Sequence, residues 1–116
     1  MAQNRVKPIA LQSFASSSLT TSYQALNPTG LDGACFRISI INTGSTTITL
    51  SYDGVNDHEI VTSSSRLDIE FQNNAQPNAW TALLSKGLVI YLKGTAGTGT
   101  IYLSGYYVSY SSTSQM

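Results

Sequence analysis

The chain reads as an all-β protein: a single β-sandwich, jelly-roll-like, of about seven or eight antiparallel strands with terminal arms. Three observations predict it. Apolar and polar residues alternate with a period of two at Phe36–Ile41, Thr47–Tyr52, Arg66–Phe71 and Ile101–Tyr107, as they do in strands that lay one face on a core. Turn-forming residues recur about every 8–12 positions, the spacing of sandwiches and barrels. No stretch carries the apolar spacing of an amphipathic helix of normal length.

Taken in order, residues 1–8 are an arm ending at Pro8, which disfavours helix just before it. Ile9–Phe14 is a first strand, with Ile9, Leu11 and Ser13 on one face. Ser16-Ser17-Ser18 breaks it, and Leu19–Leu26 is a more polar second strand. Asn27-Pro28-Thr29-Gly30 and Asp32-Gly33 are turns. From Cys35 onward Phe36, Ile38 and Ile40 alternate with Arg37, Ser39 and Ile41, and Asn42–Ser45 reads as a short hairpin connection. Ile48, Leu50 and Tyr52 then alternate with threonines and Ser51, which suit a half-exposed pleated surface.

Asp53-Gly54 closes that strand, His58–Val61 is a short segment, and Ser63-Ser64-Ser65 is a turn. Leu67, Ile69 and Phe71 point inward, with Arg66, Asp68 and Glu70 outward. Gln72–Asn78 is an amide-rich loop; Ala79–Leu84, with Trp80 inward, is a helical turn or a short strand. Leu88–Tyr110 closes the domain as a hairpin around the glycine-rich turn Gly94–Gly99. Residues 9–110 form one domain and 111–116 a serine-rich tail.

Composition bounds the functions. The 116 residues suffice to bury a core without disulfides or metals. Only 10% are charged, against roughly 25% in an average globular protein, and six basic residues balance six acidic ones. A neutral, hydroxyl-rich surface does little to keep copies apart. It lacks the basic patch that phosphate neutralisation needs, so nucleic acid is not expected as the main partner. No run approaches a membrane span or the apolar core of a signal peptide, so neither a membrane nor secretion is expected. The lone Cys35 permits no internal disulfide.

Several motifs invite chemistry and are better read otherwise. Gly94-Thr95-Ala96-Gly97-Thr98-Gly99 has the glycine content of a phosphate loop. Such a loop leads from a strand into a helix, and here Thr100–Leu103 is another strand, so a turn with glycines at positive φ is the reading. Asp53–Glu59 gathers oxygen donors and the only histidine, but not at the offsets of a calcium loop, and reads as a polar turn. Cys35 precedes a strand and reads as a small buried residue rather than a nucleophile paired with His58. Asp68 and Glu70 share a face, as glycosidase carboxylates do, yet they alternate with core residues beside Arg66 and read as a charged sheet face. No enzyme, cofactor or metal is expected.

Tyr91, Tyr102, Tyr106, Tyr107 and Tyr110 crowd the last stretch. By parity Ile101, Leu103 and Tyr107 face the core, leaving Tyr102, Ser104, Tyr106, Val108 and Tyr110 outside. Tyrosine is enriched at interfaces, so Tyr102, Tyr106 and Tyr110 are interface candidates, together with Arg5 and Lys7 of the arm. With Trp80 the tyrosines could alternatively make a carbohydrate- or peptide-binding module. Gly105 in mid-strand predicts a bulge or a close backbone approach.

The run Tyr91–Tyr107 and the upstream Ile41–His58, with its Ser-Tyr-Asp-Gly followed by Asp-His, resemble small virion proteins of tailed bacteriophages. Together they cover about a third of the chain. The resemblance implies a β-sandwich structural subunit of the virion, either a capsid decoration or auxiliary protein or a head–tail component, assembled in the host cytoplasm. It implies as partners further copies of the chain, a trimer among the cyclic options, and virion proteins such as the major capsid protein or portal and neck proteins. It carries over no catalytic residues.

Overall fold

The computed structural model describes residues 4–70 and 84–110. Among them nine strands form: β1 (Asn4–Pro8), β2 (Gln12–Ala15), β3 (Gln24–Ala25), β4 (Cys35–Asn42), β5 (Ile48–Ser51), β6 (Glu59–Val61), β7 (Ser65–Glu70), β8 (Tyr91–Gly94) and β9 (Thr100–Tyr110). One sheet runs β1-β9-β4-β7, with β2 also on β9; the other runs β3-β8-β5-β6. Every pairing is antiparallel. β1 and β2 lie on the same edge of β9, opposite β4, so they act as one interrupted strand. Each sheet then has four lanes, and the chain passes between them in jelly-roll order.

Alternation places the core as expected. Ile38 and Ile40 of β4 and Ile101 and Leu103 of β9 meet Ile48 and Leu50 of β5 and Leu92 of β8, all fully buried. Each such side chain contributes about 1.5–3 kcal/mol by leaving water. On β7, Leu67 and Ile69 are partly buried against this core while Arg66, Asp68 and Glu70 are exposed.

Two expected hairpins are absent. β4 and β5 lie in different sheets, and so do β8 and β9. The connections at residues 43–47 and 95–99 therefore cross the sandwich instead of folding a strand back on its neighbour. Sequence-adjacent strands pair with each other only at β5–β6 among the described residues. The two crossings are bonded side by side. Ser45 N–H donates to Thr98 O (2.9 Å), Thr43 N–H to Thr100 O (3.0 Å), and the Thr46 hydroxyl to Thr95 O (2.7 Å). Gly99 takes φ +90°, and a Cβ there would sit 2.6 Å from Thr43 O. Of the glycines in this turn, Gly99 alone has the positive φ expected of them.

Buried Asn42 ties the same end together. Its side-chain amide donates to Thr46 O (2.9 Å), Val61 O (3.2 Å) and Thr62 O (3.2 Å), and its Oδ1 accepts from Gly44 N–H (2.8 Å). Asn27 does similar work where β3 gives out. Its Oδ1 accepts from Ile90 N–H (2.7 Å) and its amide donates to Leu88 O (3.1 Å), extending the ladder by a side chain.

Three local expectations change. The segment expected as one strand, Ile9–Phe14, is broken: the register steps from Pro8↔Tyr106 to Gln12↔Leu103, one residue more on this side than on β9. The step reverses the parity, so Ile9 is buried, Leu11 is exposed, and Phe14 packs on the core. A second shift between Cys35 and Arg37 leaves Phe36 as the extra residue, out of phase with Ile38 and Ile40. Just beyond the bulge, opposite Ile38, a Cβ on Gly105 would lie 2.8 Å from Arg37 O, the close approach that its mid-strand position predicts. Leu19–Leu26 is mostly irregular after the 3₁₀ turn Ser16–Ser18, and only Gln24–Ala25 forms strand. The expectations for Phe71, Gln72–Asn78, Trp80 and the tail 111–116 lie outside the described residues.

Candidate interaction surfaces

The outer face of the β9 sheet is a grid set by register. Tyr102, Ser104 and Tyr106 of β9 stand opposite Ile41, Ser39 and Arg37 of β4; these stand opposite Arg66, Asp68 and Glu70 of β7. Arg66 Nη2 lies 2.9 Å from Asp68 Oδ1, and Arg37 reaches Asp68 at 3.8 Å and Glu70 at 4.0 Å. The Ser39 hydroxyl donates to Asp68 at 2.5 Å. That bond, and then Arg66, hold the Asp68 carboxyl below its usual range. Charges thus occupy the β7–β4 side of the face and tyrosines the β9 side. Asp68 and Glu70, weighed above as a catalytic pair, are each engaged by arginine in this network.

The arm is not free over its described part. Asn4–Pro8 is the edge strand β1, paired residue by residue with Tyr106–Tyr110. Arg5 is the backbone partner of Ser109, Lys7 of Tyr107, and Asn4 of Tyr110. Direct partners share a face, so exposed Lys7 stands on the opposite side of the sheet from Tyr102 and Tyr106. Tyr106 is 38% exposed and Val6, on the same side, is 62% exposed. Tyr102 is half-buried.

The remaining described tyrosines of that stretch disperse. Tyr107 packs its ring on Gly33, where a Cβ would come within 2.3 Å of it. Tyr91 lies on β8 of the other sheet, its ring 3.4 Å from a Cβ built on Gly54.

A second surface was not legible. The Asp53–Glu59 turn folds back over the outside of the β8 sheet. The Tyr23 hydroxyl donates to Asp57, Lys93 Nζ lies 3.1 Å from the same carboxylate oxygen, and Lys93 sits 4.6 Å above the Tyr23 ring centroid. Tyr23, Asp57 and Lys93 are far apart in sequence, and no local pattern joins them. The Tyr23 hydroxyl and then Lys93 lower the Asp57 carboxyl; burial, then Asp57, pushes the Tyr23 phenol up to about 12.

The Asp53 carboxylate accepts from Asn56 N–H and Val55 N–H (both 2.8 Å), the Asn56 amide (2.9 Å) and the Ser51 hydroxyl (2.8 Å). These bonds hold it well below the usual carboxylate range. His58 Nδ1 accepts from Tyr52 N–H at 3.0 Å, and the Tyr52 and His58 rings lie 5.4 Å apart. Among the described residues no three of His, Cys, Asp and Glu converge as a metal-ligand group. Cys35 is buried and directed at Gly33 O (3.5 Å). Burial, and then Asp32, push its thiol up to about 11.

An open recess on the outer face is lined by Ile41, Thr43, Ser64, Ser65 and Arg66. Three of its polar side chains are engaged locally: Thr43 with Thr100, Ser65 with Thr62, and Arg66 with Asp68. Comparison with protein-family models, curated proteins and solved structures finds no match to this chain.

Proposed function

We propose that the chain is a non-enzymatic structural subunit of a tailed-phage virion, a capsid decoration or auxiliary protein or a head–tail component, working through contacts between subunits. One observation carries the reading. The two stretches that resemble virion proteins, Ile41–His58 and Tyr91–Tyr107, are neighbours in space. β5 pairs with β8, and the crossings 43–47 and 95–99 are bonded to each other. The resemblance therefore falls on one continuous piece of the fold. A neutral surface with an alternating charge grid beside exposed tyrosine suits close packing among like subunits.

Quantitative mass spectrometry of purified particles tests this. Copies on the order of hundreds per particle assign the shell, and about a dozen assign a symmetric vertex or neck ring. Absence of the chain from purified particles overturns the proposal.

A further inference from the structure

The described side chains of β1, Val6, Lys7 and Pro8, add little to the hold of its backbone. Val6 is 62% exposed, and Lys7 and Pro8 are exposed as well. Among the described contacts the attachment is the ladder to β9 and one buried side chain, Ile9, whose N–H donates to Gly105 O at 2.9 Å. In an antiparallel pair bonded and non-bonded positions alternate. Counting from Ile9, Lys7–Tyr107 is a bonded pair, and Pro8–Tyr106 and Val6–Val108 are non-bonded pairs. Pro8 therefore forfeits no bond to β9, and its missing N–H falls on the open edge, where strands tolerate proline.

The next two residues, Ala10 and Leu11, are exposed and span the register step. One bond ties them to the body of the domain, from Ala10 N–H to Asp32 Oδ2 (2.9 Å); the other is local, from the Gln12 side-chain amide to Ala10 O (3.2 Å). Leu11 is 63% exposed.

We propose that β1 is an exchangeable strand: Asn4–Ile9 of one copy lies on Gly105–Tyr110 of a second copy, swinging about Ala10–Leu11. The contacts broken and made are the same in kind, so exchange costs little beyond bringing two copies together. A formal net charge of zero does not oppose that approach. Val6 and Leu11 give the hinge and strand apolar surface that a junction between copies can cover. The partner is the chain itself, so this inference stands or falls independently of the virion reading.

The test uses two full-length variants, Val6→Cys and Val108→Cys, mixed, concentrated and oxidised. These positions are direct non-bonded partners, whose Cα separation of about 4.5 Å suits a disulfide. Strand exchange yields a covalent Val6→Cys/Val108→Cys heterodimer, identified by mass after non-reducing electrophoresis. The control mixes Val6→Cys with Ser13→Cys, whose partner Tyr102 lies outside the β1 ladder; buried Cys35 is common to both mixtures. A heterodimer yield many-fold above the control is expected. Asn4→Cys with Tyr110→Cys, the other outer pair, must behave the same way and serves if a valine variant fails to fold. Yields equal to the control for both pairs mean that β1 stays on its own copy, and the proposal fails.

Discussion

At the scale of single residues, the buried amides matter more than their positions in the sequence suggest. Asn42 sits in a stretch that reads as a turn, yet it is 1% exposed and satisfies three carbonyls and one N–H. Asn42→Ala leaves buried backbone groups unpaired and should cost about 2–4 kcal/mol in urea unfolding. A control such as Thr62→Ala, exposed just beyond β6, should move the midpoint far less. Gly105 was legible, because a glycine inside an alternating strand has few other reasons to be there. Gly105→Ala forces a Cβ against Arg37 O and should cost about 1–3 kcal/mol, again read from the unfolding midpoint.

At the scale of elements, strand faces were readable and their phase was not. β5, β7, the start of β9 and β4 beyond its bulge keep the expected inward residues. The step between β1 and β2 and the bulge at Phe36 each insert one residue, which inverts every side chain on one side of it. Nothing in Ile9-Ala10-Leu11 announces that step, since either phase offers an apolar residue to the core.

The turn at Asp53–Glu59 and the charge grid on β7 carry a pH dependence. Asp53, Asp57 and Asp68 all have folded-state pKa values below the ordinary one. A depressed carboxylate contributes stability that is present above its unfolded value, about 3.9, and is lost as pH falls through the folded value. Thermal melts should therefore hold steady near pH 6 and decline below about pH 4. Asp57→Asn should lower the plateau and flatten that decline.

Tyr23 and Tyr52 work in the opposite direction, both raised to about 12 by burial and then a neighbouring carboxylate, Asp57 or Glu59. Their contribution is present below the unfolded value near 10 and is lost as pH rises through about 12. Phenolate absorbance in an alkaline titration should show Tyr23 and Tyr52 ionising late, and Tyr23→Phe should remove one late step.

At the scale of the whole molecule, the strand order governs folding. With β5–β6 as the sole local pair among the described strands, almost every ladder joins distant parts of the chain. Such topologies close long loops before contacts reward them, so refolding in stopped flow should fall in the millisecond-to-second range, not in microseconds. The two sheets share one core, so Leu92→Ala on β8 should cost about 2–5 kcal/mol and shift all spectroscopic probes together.

Alternation and turn residues are local signals, and they were enough for the fold class, most inward residues of the long strands and the outward charges of β7. Tertiary structure decided which strands pair. Backbone hydrogen bonds are blind to side chains, and the Asn-Thr-Gly and Gly-Thr-Ala-Gly segments serve a crossing between sheets as well as a hairpin. It also decided that Tyr23, Asp57 and Lys93 meet, that the tyrosines near the end of the chain spread over several surfaces, and that Asn4–Pro8 lies on β9. Each of these depends on pairings between strands far apart in the chain, which no local pattern announces.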